Sequence, residues 1–368
     1  MTASKPPFRA DHVGSLLRGA ALKDARTRRA TGELPAGGLR EIEDREVARV
    51  VAAQERLGLE AVTDGELRRS WWHYDFLAAL DGVALRGLSQ GIQFHGTQTR
   101  AEGLQVHGRV AFPADHPMLA HFRYLKSVAK GVPKMTIPAP SALHYRGGRE
   151  AIDRAVYPDL DGFFEDLGRA YAEALAAFGA AGCTYLQLDE VYIAYLCDPA
   201  QRVFLKDRGD DPDRLLRVYA DLLNAALRGR PPGMTVTMHL CRGNFRSTWF
   251  AQGGYEPVAD TLFNRIGVDG YFMEYDSERA GGFEPLRFLS AGKRAVLGLV
   301  TSKTGALEPV DALRRRLDEA ARVTDLDRLC ISPQCGFSST EEGNLLVEDE
   351  QWAKLARCLE VARAVWGG

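Results

Sequence analysis

The sequence predicts a (β/α)8 barrel, and three observations carry that expectation. Short β-branched or apolar runs alternate with amphipathic segments along the whole chain, there are eight such runs, and no Gly-x-Gly-x-x-Gly turn follows the first of them. The runs are residues 12–17, 61–64, 134–138, 185–189, 235–241, 270–275, 295–301 and 329–333. Runs this short and apolar, flanked by helices, read as strands buried on both faces and hence as a parallel sheet. Between them, residues 39–57, 160–180, 212–227, 257–266, 309–323 and 349–365 place apolar residues three and four apart, the helical spacing. Helix starts are marked by Asp211-Pro212 and Glu308-Pro309. Residues 71–122 break the rhythm with a Gly-, His- and Gln-rich stretch and read as a hairpin-like insertion after the second strand. Trp71-Trp72 at its start is open between packing anchor, interface and pocket lining. No linker composition divides the chain, so residues 1–368 are expected to form one domain.

The bulk composition narrows the function. The formal net charge is -2 over 368 residues, and no basic run interleaves with aromatics, which excludes a nucleic-acid partner. No apolar run approaches the roughly 18 residues of a membrane span, and the N-terminus lacks an apolar signal core. A soluble cytoplasmic protein is expected, and its six cysteines should be reduced. Cys183, Cys197, Cys330 and Cys358 read as small core hydrophobes.

The strand ends carry the chemistry. In His239-Leu240-Cys241 the imidazole and the thiol are two apart on a strand, so both point to one face. Cys335, in Ser332-Pro333-Gln334-Cys335-Gly336, offers a second thiol after the eighth run, and Glu274 ends the sixth. Soft and borderline donors of this kind suit zinc, and His239, Cys241, Glu274 and Cys335 make a four-ligand shell. Two thiolates and a carboxylate leave Zn²⁺ with a net charge of about -1 by ligand counting. Such an electron-rich ion activates water poorly but holds an incoming thiol as a nucleophilic thiolate. Alkyl transfer to sulfur is the chemistry expected. Gly14-Ser15, Asp64-Gly65-Glu66 and Asp189-Glu190 gather on the same rim.

Along nearly the whole chain these residues resemble the catalytic barrel of cobalamin-independent methionine synthase, and more closely its stand-alone single-barrel paralogs. The resemblance rests on Asp11-His12-Val13-Gly14-Ser15, Thr63-Asp64-Gly65-Glu66, Leu186-Gln187-Leu188-Asp189-Glu190, His239-Leu240-Cys241, Met273-Glu274-Tyr275 and Ser332-Pro333-Gln334-Cys335-Gly336. It implies a (β/α)8 barrel, zinc on His239, Cys241, Glu274 and Cys335, and methyl transfer to homocysteine. It also implies that Val13 and Ser15 hold the amino-acid part of the acceptor, while Glu66 and Asp189 receive its ammonium. The family's additional N-terminal barrel has no counterpart here. Its proton-donating histidine is replaced by Thr301, and His239 is the last histidine of the chain. Asp276, Tyr192 and Lys303 are then the candidate proton donors, or else the methyl donor differs from methyltetrahydrofolate. The competing readings are alkylation of another thiol, as in epoxide opening by coenzyme M, and a non-catalytic zinc or thiol-binding protein. Coenzyme M lacks the ammonium that Glu66 and Asp189 would receive.

Overall fold

The computed structural model describes residues 5–367. Its centre is a curled sheet of seven parallel strands in the order β1 (Ala61–Val62), β6 (Val132–Pro138), β7 (Tyr185–Asp189), β8 (Thr235–Leu240), β9 (Gly270–Glu274), β10 (Arg294–Val300) and β11 (Leu329–Pro333). Every pairing between neighbours is parallel. β7, β9 and β11 are buried at every residue, as strands covered on both faces must be. The long helices Ala36–Leu57, Leu160–Ala180, Pro212–Leu227, Val310–Ala321 and Glu348–Trp366 follow the sequence periodicity closely. Those beginning at Leu160 and Pro212 are capped by Asp159 and Asp211, whose side chains accept from the first-turn N–H groups.

Seven strands, not eight, form the ladder. The expected first strand at residues 12–17 is an extended segment that joins β11 to β1 with few backbone bonds. Ala10 bridges Ile331, the Asp11 N–H donates to the Ile331 carbonyl at 3.1 Å, and the Leu16 N–H donates to the Gly65 carbonyl at 2.9 Å. The reason is local: Gly14 adopts φ +139°, outside strand geometry, and turns the chain inward. A buried charge cluster replaces the missing ladder. The Lys134 ammonium lies 3.3 Å from the Asp11 carboxylate, with both side chains fully buried, and donates to the His12 carbonyl at 2.6 Å. The Tyr185 hydroxyl donates to the other Asp11 oxygen at 2.8 Å, and Lys134 sits 3.9 Å above the Phe272 ring.

The expected insertion is a hairpin. β2 (Asp81–Gly87) pairs antiparallel with β5 (Glu102–Ala111), and a small tip is formed by β3 (Gln93–Phe94) and β4 (Thr97–Gln98). It is shorter than residues 71–122, because a helix over Pro117–Val128, capped by His116, belongs to the barrel. The tip folds onto the loop after β8, with Phe94 at 5.5 Å from Phe245 and 5.6 Å from Phe250. The helix expected at residues 257–266 is present as a continuous but irregular helical stretch over residues 256–265: a 3-10 start, Glu256–Val258, two α-helical residues, Ala259 and Asp260, and a π end, Thr261–Arg265, with no side-chain cap at its start. No helix among the described residues is long and apolar enough to cross a membrane.

Replacing Asp11 with Ala removes the ion-pair partner of the buried Lys134 ammonium, whose charged form burial already disfavours. Such a loss costs about 3–5 kcal/mol. Guanidinium denaturation of Asp11→Ala should show it, and a loss below about 1 kcal/mol would deny the pair its structural role.

Candidate functional site

The C-terminal edge of the sheet brings the predicted residues together because the parallel register aligns the strand ends. Asp189 pairs with His239, His239 with Phe272, and Gly298 with both Glu274 and Ser332. Ligand atoms of His239, Cys241 and Cys335 lie within 4.8 Å of one another, and all three residues are buried. Neither ring nitrogen of His239 has a hydrogen-bond partner of ordinary geometry, although both are sealed from solvent. Two thiols and a bare imidazole converging in this way fit a soft or borderline metal ion. Without one, interaction with Cys241 and with His239 holds the Cys335 thiol well below its usual range, and the same contact with Cys335 pushes the Cys241 thiol up. The trio is thus already polarised towards a thiolate.

Glu274 stands beside this cluster, outside the group of three. Its Oε1 pairs with Arg279 and, at 3.4 Å, with Lys303, and its Oε2 accepts from the Arg242 N–H at 2.8 Å. Burial opposes its charge, but Lys303, Arg279 and Arg242 outweigh it and lower its pKa to about 2. Of the candidate proton donors, Lys303 and Asp276 pair with each other at 3.1 Å. Tyr192 is fully buried against Arg146. Thr301 is half-buried, and its N–H donates to Glu308 at 2.9 Å.

A cavity of about 50 Å³ opens onto the trio and is lined by Val13, Ser15, Glu66 and Asp189 as well as by His239, Cys241 and Cys335. The inward turn at Gly14 places Val13 and Ser15 there. The Gln187 amide ties the segment to Asp189, donating to the Val13 carbonyl and to Asp189 Oδ1, both at 2.7 Å. Glu66 accepts from the Thr136 hydroxyl at 2.8 Å and lies 3.4 Å from Arg69, while its Oε2 has no hydrogen-bond partner. Burial, and then the charge of Glu66, raises the pKa of Asp189 to about 7. Burial likewise pushes Glu66 up. Glu66 thus has one cation, Arg69, while Asp189 has no ion-pair partner among the described residues, so the two buried carboxylates together carry more negative charge than their paired cation offsets.

Sequence reasoning missed His73, Arg146 and Asn244, which line the same cavity, and left open whether Trp71 lines it too. Only Trp71 carried a signal, in the doubled tryptophan. It is buried and stacks on Tyr74 at 4.9 Å, so the pair anchors the hairpin and lines the pocket. Cys183, Cys197 and Cys330 are buried with thiols pushed up to about 12 by burial, and Cys358 is pushed up likewise, as inert core cysteines should be.

Gly14 is the residue least able to change. A Cβ there would meet Thr136 Cγ2 at 2.7 Å and Glu66 Oε1 at 3.3 Å, on a backbone that L residues rarely adopt. Gly14→Ala should lower stability by about 1–3 kcal/mol, read in urea denaturation. A neutral result would show that the segment relaxes freely.

The chain and its fold are matched by relatives. Residues 8–362 match the family described as cobalamin-independent synthase, catalytic domain. The uncharacterised protein YxjH of Bacillus subtilis is 49% identical over 364 residues, covering 98% of this chain and 96% of the relative. A solved structure from Listeria monocytogenes, provisionally described as a vitamin-B12 independent methionine synthase, superposes with a TM-score of 0.79 at 38% identity. That match covers 98% of this chain and 99% of the other. A methionine synthase of Pyrococcus abyssi is 24% identical over 341 residues, covering 92% of this chain and 86% of the relative. With the barrel, the strand-end cluster and a match over nearly its full length, the chain belongs to the family of cobalamin-independent synthase catalytic domains.

Proposed function

We propose that this protein is a zinc-dependent thiol methyltransferase that methylates homocysteine to methionine. The observation that carries the reading is the small cavity in which a His/Cys/Cys cluster faces two buried carboxylates, Glu66 and Asp189, of which Glu66 has Arg69 as its ion-pair partner and Asp189 has none among the described residues. His239, Cys241 and Cys335 would hold the zinc, with Glu274 as the fourth donor. Zinc bound there would draw the acceptor thiol to its thiolate near neutral pH while keeping the sulfur nucleophilic. The negative donor set is offset by Arg242, Arg279 and Lys303 around Glu274.

The protein's own residues would do the rest. Glu66 and Asp189 receive the acceptor's ammonium, which explains why burial is tolerated at both. Val13 and Ser15, presented by the turn at Gly14, hold the remainder of the amino acid. The family membership and the methionine synthase of Pyrococcus abyssi support the reaction class. Binding both reactants in a closed cavity excludes water and aligns sulfur with the methyl group. The leaving atom of a methylfolate donor needs a proton. Lys303 and Asp276, which pair with each other beside Glu274, are the nearest candidates among the residues proposed for that task.

Two measurements test this. Cys335→Ser should reduce bound zinc at least tenfold, by elemental analysis, while circular dichroism remains that of the folded protein; unchanged zinc would remove Cys335 from the ligand set. The zinc-loaded enzyme given homocysteine should form methionine with methyltetrahydrofolate (mono- or polyglutamyl) or with S-methylmethionine. Alkylation of a different thiol with no methionine formed would overturn the acceptor.

A further inference from the structure

The strand-end cluster is tied together by the residues that follow Cys241. The chain turns back at Gly243, which adopts φ +86° and where a Cβ would meet Phe250 Cβ at 2.7 Å. That turn sends the residues on either side of it to different neighbours. The Arg242 N–H donates to Glu274 Oε2 at 2.8 Å, and the Asn244 side-chain amide donates to the Gly336 carbonyl at 2.8 Å. Gly336 follows Cys335 directly, so one carboxamide spans the two loops that carry the thiols. Asn244 lines the small cavity at the trio and not the larger one, of about 410 Å³, between the hairpin and the barrel. The two cavities meet at His73, Ile92 and Arg146.

Stability alone does not explain an asparagine at this place. Only 6% of Asn244 is exposed, and its Oδ1 is sealed from solvent without a hydrogen-bond partner. A bare amide oxygen in the interior costs free energy that an apolar side chain of similar size would avoid. Nor does the Gly336 carbonyl depend on Asn244, because the Ser302 hydroxyl also donates to it, at 3.1 Å. What Asn244 adds is a link between ligand loops. Ser302 belongs to the loop after β10, which bears none of His239, Cys241 and Cys335, whereas Asn244 is three residues from Cys241. The other backbone anchors of the Cys335 loop run to the barrel: the Gln334 N–H donates to the Val300 carbonyl at 2.8 Å and the Phe337 N–H to the Ser15 carbonyl at 2.9 Å. The Asn244 bond instead fixes one thiol relative to the other.

We propose that Asn244 is a positioning residue for the metal centre, setting the Cys335 thiol against Cys241 and His239 and so raising the affinity of the site for zinc. This rests on the zinc reading above and carries it from the ligands to the side chain that holds two of them in register. Ligands that are already in place lose less freedom when an ion binds, and the hydrogen bonds that orient them contribute to affinity without touching the ion.

The test compares wild type, Asn244→Leu, Asn244→Ala and Cys335→Ser, each metal-free and metal-loaded. Zinc affinity is read by competition with a chromophoric chelator. Cobalt(II) serves as the spectroscopic probe, since thiolate ligands give it charge-transfer absorption in the near ultraviolet. Asn244→Leu and Asn244→Ala should bind zinc about tenfold or more weakly than wild type. Saturated with cobalt, both should show less charge-transfer absorbance per ion, displaced towards that of Cys335→Ser. The metal-free melting temperature of Asn244→Leu should not fall, because the bare oxygen is gone and Ser302 still serves the carbonyl. Zinc affinity within about threefold of wild type, or an unaltered cobalt spectrum, in both Asn244 variants would overturn the positioning role. A loss of zinc accompanied in both variants by a matching fall of the metal-free melting temperature would make Asn244 a packing residue and overturn it equally. Unchanged zinc affinity and cobalt spectrum in Cys335→Ser would instead sink the ligand set of the preceding section, and this inference with it.

Discussion

The pairing of Asp11 with Lys134, buried inside the barrel, is the constraint on which the site depends. Neither charge has water, so each needs the other together with the Tyr185 hydroxyl and the His12 carbonyl. That requirement fixes residues 8–17 across the open edge of a seven-stranded sheet where a regular strand is absent. Val13 and Ser15 reach the His239, Cys241 and Cys335 cluster only because this segment is held and then turned at Gly14. Ser15 is in turn locked to the loop after β11: its carbonyl accepts from the Phe337 N–H at 2.9 Å, and its hydroxyl accepts from the Ser338 N–H at 3.3 Å. Barrel closure and the placing of Val13 and Ser15 in the cavity are therefore one arrangement.

Carboxylates on this rim are given different characters by their surroundings. Glu274 is surrounded by Arg242, Arg279 and Lys303 and remains ionised far below neutral pH. Asp189, equally buried, has Gln187 as its direct hydrogen-bond donor and Glu66 as a like-charged neighbour, and its pKa rises to about 7. Glu190 next to it also rises to about 7 through burial, although it caps the short helix Val191–Tyr195 through the Tyr192 and Ile193 N–H groups. Desolvation is common to all three; the number of cations within reach decides the outcome. An anion set on a permanent cationic bed suits a place beside a metal ion. A pair that is unstable as anions suits an incoming ammonium.

The hairpin gives the barrel a second chamber. Its tip is pinned by Phe94 against Phe245 and Phe250, and its base by Trp71 against Tyr74, so aromatic contacts rather than ladder bonds dock it on the rim. Of these rings, Tyr74 and Phe250 line the second chamber, while Trp71, Phe94 and Phe245 line the small cavity. Docking the insertion and shaping a ligand pocket thus use one set of side chains.

The strand and helix periods, the two-residue spacing of His239 and Cys241, and the acids ending apolar runs were all legible in the chain, because each is a local pattern on a strand or helix. They led to the barrel and to the thiols, imidazole and carboxylates around the cavity, but not to most of its other lining residues. What they could not supply was set by contacts between segments distant in sequence. The first strand lost its ladder to the turn at Gly14 and to a charge pair spanning 123 residues. Glu274 acquired its cations from Arg242, Arg279 and Lys303 on three separate loops. Arg146 is one arginine among many in the sequence, in a Gly-rich loop without a period. Its place between two cavities arises only when the hairpin folds over the rim, since the meaning of a charge depends on which neighbours remove its water.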